Sequence, residues 1–291
     1  LLSVAGLLCY LSACGASSPV VWCLGIPLLF NHLLHMGFYN FCLGIPVLFF
    51  ALGCWLRALV DPRWYWFLAM SILVVVAYFS HILIALLLIA AIVACAIAAW
   101  WRNVPRMLAV FAALLPIWIL MLIFAGSRHV ALGHRWSAEF FTAYLLRMEV
   151  LDSFGFPRTL RFLPLALLFW FLLLVSLLAA LKSVFPSGVT VARRIGTIRV
   201  AFTVRRKGFS AAMPACLTVS LVFLLAYCVV PDTIGLSESG GYWVSPRISI
   251  LVLLSALPLM RLPSDRRLAG ITAVMVCVVS AVRLGSNFSI Y

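Results

Sequence analysis

Side chains able to hold or move a charge are few in this sequence, and three places combine them in ways that could do chemistry. The stretch from Gly126 to Arg161 carries His129, His134, Arg135, Trp136, Glu139, Arg147, Glu149, Asp152 and Arg158 between two apolar runs. Guanidinium forks match phosphate oxygens, aromatic faces cover the apolar side of a sugar, and a carboxylate beside them can serve as a base. That mixture suits a sugar or a phosphate held at a membrane surface. The same stretch also reads as an amphipathic helix lying on the bilayer, with Phe140, Phe141, Tyr144, Leu145 and Met148 at helical spacing along its apolar seam. The two readings are compatible.

A second group lies between residues 31 and 40. His32 and His35 stand at i, i+3, which puts two imidazoles on one helical face, where a metal could be held with His81 or a loop carboxylate. Two polar side chains at the headgroup level account for them as well, no HExxH-type signature accompanies them, and no metal ligand is assigned. Asn40 and His81 sit at the ends of hydrophobic helices, where a polar group is costly unless satisfied. Each either lines an outward-facing cavity or caps the adjacent backbone. The third place is Val244-Ser-Pro-Arg-Ile248, which opens a helix after a segment holding Asp232, Glu238 and Trp243. Arg247 is there either a phosphate ligand at a cavity entrance or a side chain snorkelling to the interface. The candidate substrate-binding residues are therefore Asn40, His81, His134, Arg135, Glu139, Arg158 and Arg247. Outer loops 126 to 161 and 231 to 247 are expected to form a cavity with segment 31 to 40.

The elements that must position these groups follow from composition. Of 291 residues 66% are hydrophobic and 10% charged, whereas soluble domains carry about 25% charged residues. A water-soluble globular fold is excluded. The expected class is all-α: a polytopic transmembrane bundle in one domain spanning 1 to 291. Roughly 20 apolar residues cross a hydrocarbon core about 30 Å thick. That length predicts eight or nine crossings, near 1–15, 38–56, 64–80, 82–101, 105–125, 162–181, 211–230, 247–262 and 268–285. Trp64 to Trp101 is 38 nearly unbroken apolar residues, about 57 Å as one helix at 1.5 Å per residue, so it must turn back at its polar interruption, Ser80-His81. Pro19 to Phe30 is apolar but short and contains Gly25 and Pro27, which fits a re-entrant or interfacial helix. Cys-Leu-Gly-Ile-Pro occurs at 23 to 27 and again at 42 to 46, either by chance or as a duplicated broken-helix element of the transporter kind. A start at Leu1 without Met, inside a short apolar run, leads us to expect a longer chain.

The net charge of +14 follows from the retention of Lys and Arg in cytoplasmic loops and carries no implication of nucleic acid. Loop 182 to 210, with Lys182, Arg193, Arg194, Arg199, Arg205, Arg206 and Lys207, anchors the inner side. Alternation then places Arg57, Arg63, Arg102, Arg106, Arg261, Arg266 and Arg267 with it, fourteen basic residues in all, against six on the outer side: Arg128, Arg135, Arg147, Arg158, Arg161 and Arg247. Arg283 falls near an outer helix end. Residue types not used in that assignment segregate with it. All five His and five of the seven acids fall outside; only Asp61 and Asp265 fall inside. The expected location is the cell membrane, multi-pass, in a bacterial inner membrane, with the chemistry facing outward. The nine cysteines lie in apolar runs without a CxxC pair and read as packing residues. No Walker A loop, GxSxG or kinase signature is present, and no helix is rich in intramembrane charge, which speaks against ATP-driven transport and voltage gating.

His35-Met-Gly-Phe-Tyr-Asn-Phe-Cys-Leu-Gly-Ile-Pro46 runs into a helix ending at Arg57, followed by a basic loop and a helical pair broken at His81. Tyr242-Trp-Val-Ser-Pro-Arg247 stands as an outer loop ending in Arg at a helix start. This order resembles bacterial polytopic proteins similar to C-type (GT-C) membrane glycosyltransferases over roughly two thirds of the chain. The resemblance implies transfer of a sugar from a polyprenyl phosphate donor to an acceptor at the outer face, with the bilayer and a lipid-linked sugar as partners. It also implies a catalytic carboxylate in the first outer loop. The chain has no acid before Asp61, which faces inward, so no catalytic residue is assigned, and no cofactor. A transporter or flippase for a lipid-linked or amphipathic solute, an oligosaccharide polymerase or ligase, and a structural membrane subunit are the alternatives.

Overall fold

The computed structural model describes residues 1–15, 19–29, 32–35, 37–127, 131–132, 145–146, 163–184, 213–230, 234–235, 244–260 and 266–288. Among these residues eleven α-helices follow one another: α1 (Leu2–Ala13), α2 (Pro19–Leu29), α3 (His32–His35), α4 (Tyr39–Val60), α5 (Trp64–Ser80), α6 (Ile82–Trp100), α7 (Val104–Ser127), α8 (Leu163–Val184), α9 (Met213–Val229), α10 (Val244–Ala256) and α11 (Arg266–Phe288). A 3₁₀ turn over Leu257–Leu259 extends α10. One departure from the all-helical expectation is a two-residue antiparallel ladder, β1 (Ala131–Leu132) with β2 (Ile234–Gly235), in register Ala131 to Gly235 and Leu132 to Ile234. It ties the two outer loops of the sequence reading to each other.

Among the described residues three helices are long and apolar enough to cross a membrane: Tyr39–Val60, Ile82–Trp100 and Val104–Phe124. Six further apolar helices are shorter: Leu2–Ala13, Trp64–Ser80, Pro164–Ser176, Met213–Val229, Val244–Leu259 and Ala269–Val282. The turn demanded by the length of Trp64 to Trp101 is where the polar residues put it. His81, in extended backbone, ends α5 and begins α6. Pro19–Leu29 is a short helix with Pro27 inside it, as its composition indicated.

Helix α4 is the inner member of the three long helices, with 67% of its apolar window buried against 17% for that of α7. It packs on α1, α5 and α6, while α7 leaves Leu108, Phe111, Leu115 and Leu122 exposed. Every residue of α10 is buried, Ser245, Arg247, Ser249 and Ser255 among them. Two glycines let α1 and α4 approach closely. A Cβ on Gly6 would stand 2.6 Å from the Pro46 carbonyl oxygen, and one on Gly53 would stand 2.8 Å from Cys9 Sγ. The paired positions rise together along both chains, so α1 and α4 run parallel, backbone nearly on backbone, as small residues allow in apolar surroundings.

Helix hydroxyls, buried and exposed alike, return to main-chain carbonyls of their own or a neighbouring helix. Ser80 Oγ donates to Val76 O, Thr218 Oγ1 to Pro214 O, and Ser249 Oγ to Pro246 O, each at 2.9 Å. Ser220 Oγ bridges two helices, reaching Cys216 O at 3.1 Å and Ser255 O at 2.9 Å. Of the cysteines, Cys14, Cys54, Cys95 and Cys216 are buried packing residues, with Cys14 and Cys216 sulfurs 2.7 Å apart between the end of α1 and the start of α9. Cys228 and Cys277 are exposed, which corrects the reading of all nine as packing residues.

At the α4–α5 and α6–α7 turns, arginines and aromatic rings alternate. Arg57 lies over Trp66 at 5.3 Å, Arg102 over Trp101 at 4.5 Å and Arg106 over Trp100 at 5.3 Å, while Arg63 pairs with Asp61 at 2.6 Å. Such a belt suits the headgroup layer, where ring and cation both find their preferred depth. His81 and the start of α4 stand at the opposite ends of these helices. If the belt is cytoplasmic, a single cysteine at Asn103 in a chain lacking native Cys should react with an impermeant maleimide only after permeabilisation, and one at Tyr39 in intact cells. The reverse pattern would invert the sidedness.

Candidate anion-binding site

Three helix N-termini meet at the end remote from the arginine and tryptophan belt. Phe38 precedes α4 and Phe41 lies on its first turn; His81 caps α6; Arg247 lies on the first turn of α10. The spacing of Phe38 and Phe41 puts both rings on one side of the helix start. Arg247, only 7% exposed, lays its guanidinium over Phe38 at 4.3 Å and near Phe41 at 5.9 Å. Phe41 in turn meets the His81 ring edge-on at 5.4 Å. Arg247 Nη1 stands 3.3 Å from His81 Nε2, joining residues 166 positions apart in sequence. The other ring nitrogen of His81, Nδ1, accepts from the Leu83 N–H at 3.3 Å, so the imidazole is the cap of α6 as well as the neighbour of the guanidinium.

Among the described residues the charge at this end is positive. Each helix N-terminus carries a partial positive charge of roughly half a unit, and Arg247 adds a full one beside three of them. Burial first, and the nearby guanidinium second, push His81 down to about 4 from its ordinary value of 6.5, so the ring is neutral at pH 7. A neutral imidazole under a buried guanidinium, walled by aromatic rings, cannot attract a cation. What the arrangement can do is receive an anion, through charge-assisted hydrogen bonds of fixed direction.

The pH dependence follows from that shift. As pH falls from about 6.5 towards 4, the unfolded chain takes up the His81 proton before the folded one does, and stability is lost across that window; above it the term vanishes. Thermal unfolding in detergent should therefore fall further between pH 7 and pH 4.5 for the native chain than for His81→Asn. Arg247 faces the ring throughout and stays charged, so the difference between the two chains isolates the imidazole.

Of the candidates from sequence, the structure brings His81 and Arg247 together and leaves Asn40 exposed on the first turn of α4. His134, Arg135, Glu139 and Arg158 lie outside the described residues, as do the side chains of His32 and His35. In the loop reading of 126 to 161, Leu145 is buried and the Leu146 carbonyl accepts from Trp170 Nε1 at 3.1 Å, docking part of that segment on α8. Phe38 and Phe41 are functional neighbours that sequence reasoning passed over. Their signal was the i, i+3 pair of rings at a helix start, which is the spacing of a two-sided stack. Among the described residues the one acid, Asp61, stands at the other end of α4. In comparisons with known proteins, no family, no curated protein and no solved structure matches the chain.

Proposed function

We propose that this chain is a multi-pass protein of the cell membrane, with its eight or nine apolar helices as the crossings, that binds the phosphate of a lipid-linked sugar where His81 and Arg247 meet. In this reading it is GT-C-like and transfers the sugar to an acceptor at the outer face. The observation that carries the proposal is the placement of Arg247. A buried guanidinium stacked on Phe38 beside a neutral imidazole, at the ends of apolar helices, is costly to maintain and points to a substrate path. The ladder between β1 and β2 supports a contribution from the outer loops, because it joins the segment holding His134, Arg135, Glu139 and Arg158 to the one leading into α10.

Purified chain in nanodiscs should bind a radiolabelled polyprenyl-phosphate sugar saturably, with polyprenyl phosphate competing and polyprenol failing to compete. Binding that polyprenol abolishes equally would remove the phosphate from the account. A transporter reading is favoured by Pro27, Pro46 and Pro116 inside helices and by the position of Asp61 away from the site. Vesicles distinguish the two: movement of the lipid-linked sugar across the bilayer without chemical change supports transport, and a new glycosidic bond supports transfer.

A further inference from the structure

A neutral imidazole has one N–H and one lone pair, yet two donors face this one. The Leu83 N–H points at Nδ1 and Arg247 Nη1 at Nε2, each at 3.3 Å. If the lone pair sits on Nε2, the Nδ1 proton confronts the Leu83 amide, one of the first-turn N–H groups that find no acceptor within their own helix. If it sits on Nδ1, the cap is made and the Nε2 proton confronts the guanidinium. The second arrangement is the one that an anion completes, because a single oxygen has lone pairs enough to accept from both.

Resting on the phosphate reading above, we infer that an anionic oxygen of a phosphate group accepts from both Arg247 Nη1 and His81 Nε2, the two nitrogens parting from their 3.3 Å contact to admit it, and that the Leu83 amide holds His81 in the tautomer that donates. Three features besides the donor pair converge on this point. The guanidinium's donors lie in its own plane while Phe38 covers its face at 4.3 Å, which turns the N–H groups sideways towards His81. The N-termini of α4, α6 and α10 all contribute positive potential there. Phe41, fully buried and edge-on to the imidazole at 5.4 Å, fixes the ring plane. His81 is thus a positioning element for its own helix and a ligand for the anion, and one backbone amide couples the two roles.

The test uses the full chain, labelled with ¹⁵N-histidine, in nanodiscs of zwitterionic lipid at pH 7. Polyprenyl phosphate is added to the bilayer in one arm, polyprenol in a second, and inorganic phosphate to the buffer in a third. With the phosphate lipid, the His81 signals should show Nδ1 without and Nε2 with the proton, and the Nε2 resonance should move saturably. Polyprenol should leave it in place. A lone pair persisting on Nε2 at saturation overturns the inference. A response to inorganic phosphate alone retains the inference and removes the lipid-linked reading on which it was built. Two substitutions sharpen the result. His81→Asn keeps an acceptor that caps α6 but does not reach the Nε2 position, and should weaken phosphate binding at least about tenfold with the unfolding midpoint at pH 7 little changed. His81→Gln reaches that position with an amide N–H and should keep part of the affinity. If Arg247→Ala abolishes binding and His81→Asn leaves it unchanged, His81 is a cap alone and the inference fails while the function proposal stands; if neither alters binding, both fail.

Discussion

Replacing Arg247 by Ala should weaken binding of a polyprenyl-phosphate sugar by roughly 10- to 150-fold, the equivalent of a charge-assisted hydrogen bond worth about 1.5–3 kcal/mol. The magnitude is set by where the guanidinium stands. At 7% exposure water screens its interactions little, so the loss sits well above what an exposed arginine of the belt would show. Arg247→Lys should fall between the two, since the ammonium keeps the charge but loses the planar fork and the stack on Phe38. Because the site is buried, the unfolding midpoint is recorded with each variant, and the lysine chain guards against a simple failure to fold. Arg283, in a stretch with no acid nearby in sequence, is the control, and its Ala variant should bind within about twofold of the native chain. Equal, small effects of both substitutions would leave Arg247 as an interface anchor and remove the main reason for preferring a transferase to a transporter.

Gly6→Leu should be among the most destabilising single changes in the described bundle. The first added carbon would fall 2.6 Å from the Pro46 carbonyl oxygen and 2.8 Å from its Cα, and neither can rotate away, because both belong to the backbone of α4. Overpacking costs about 1–3 kcal/mol when side chains can yield, so the loss here lies at or beyond the top of that range. Even Gly6→Ala should lower the unfolding midpoint. Gly270→Ala supplies the opposite sign. Nothing stands within 4 Å of the added carbon there, and a helical Gly is about 1 kcal/mol less favourable than Ala, so that chain should unfold at the same temperature or higher. Thermal unfolding in one detergent compares all three, and a Gly6→Leu chain as stable as the native one would refute the close parallel packing of α1 on α4.

The turn at His81 was legible because bilayer thickness is an external ruler: a helix from Trp64 to Trp101 is too long for it whatever its neighbours do. Which faces of the helices meet was a different matter. Soluble helices advertise their buried side by an alternation of polar and apolar residues, but α10 is wholly buried with Ser245, Arg247, Ser249 and Ser255 spread over more than one side of it, so nothing local marked Arg247 as pointing at α6 rather than at lipid. His81 and Arg247 were both singled out as candidates, each for its position at a helix end, yet 166 residues of chain between them carry no hint of the 3.3 Å contact. Asn40 was chosen by the same argument and is exposed, which shows that a helix-end position selects for polarity and says little about direction. Phe38 and Phe41 were visible as a spacing, but their use as a bed for a guanidinium depends on a partner supplied by a distant helix. The ladder of β1 and β2 is two residues a side, too short for any alternation to announce it, and the contact of Gly6 with Pro46 depends on the parallel course of two helices, which spacing within either one does not encode.

Helix α4 carries a further implication, about how a substrate would arrive. Sixteen residues separate Phe41 from Arg57, about 24 Å of helix at 1.5 Å per residue, which is close to the thickness of the hydrocarbon core. On the proposed phosphate reading, a phosphate at Arg247 would stand level with the headgroups of one leaflet while its chain stayed among the tails of that leaflet. Encounter then takes place in a plane and not in a volume. The quantity that governs saturation is the mole fraction of the phosphate lipid in that leaflet, and an apparent affinity expressed per litre of buffer would change with every addition of inert phospholipid although the site itself had not changed.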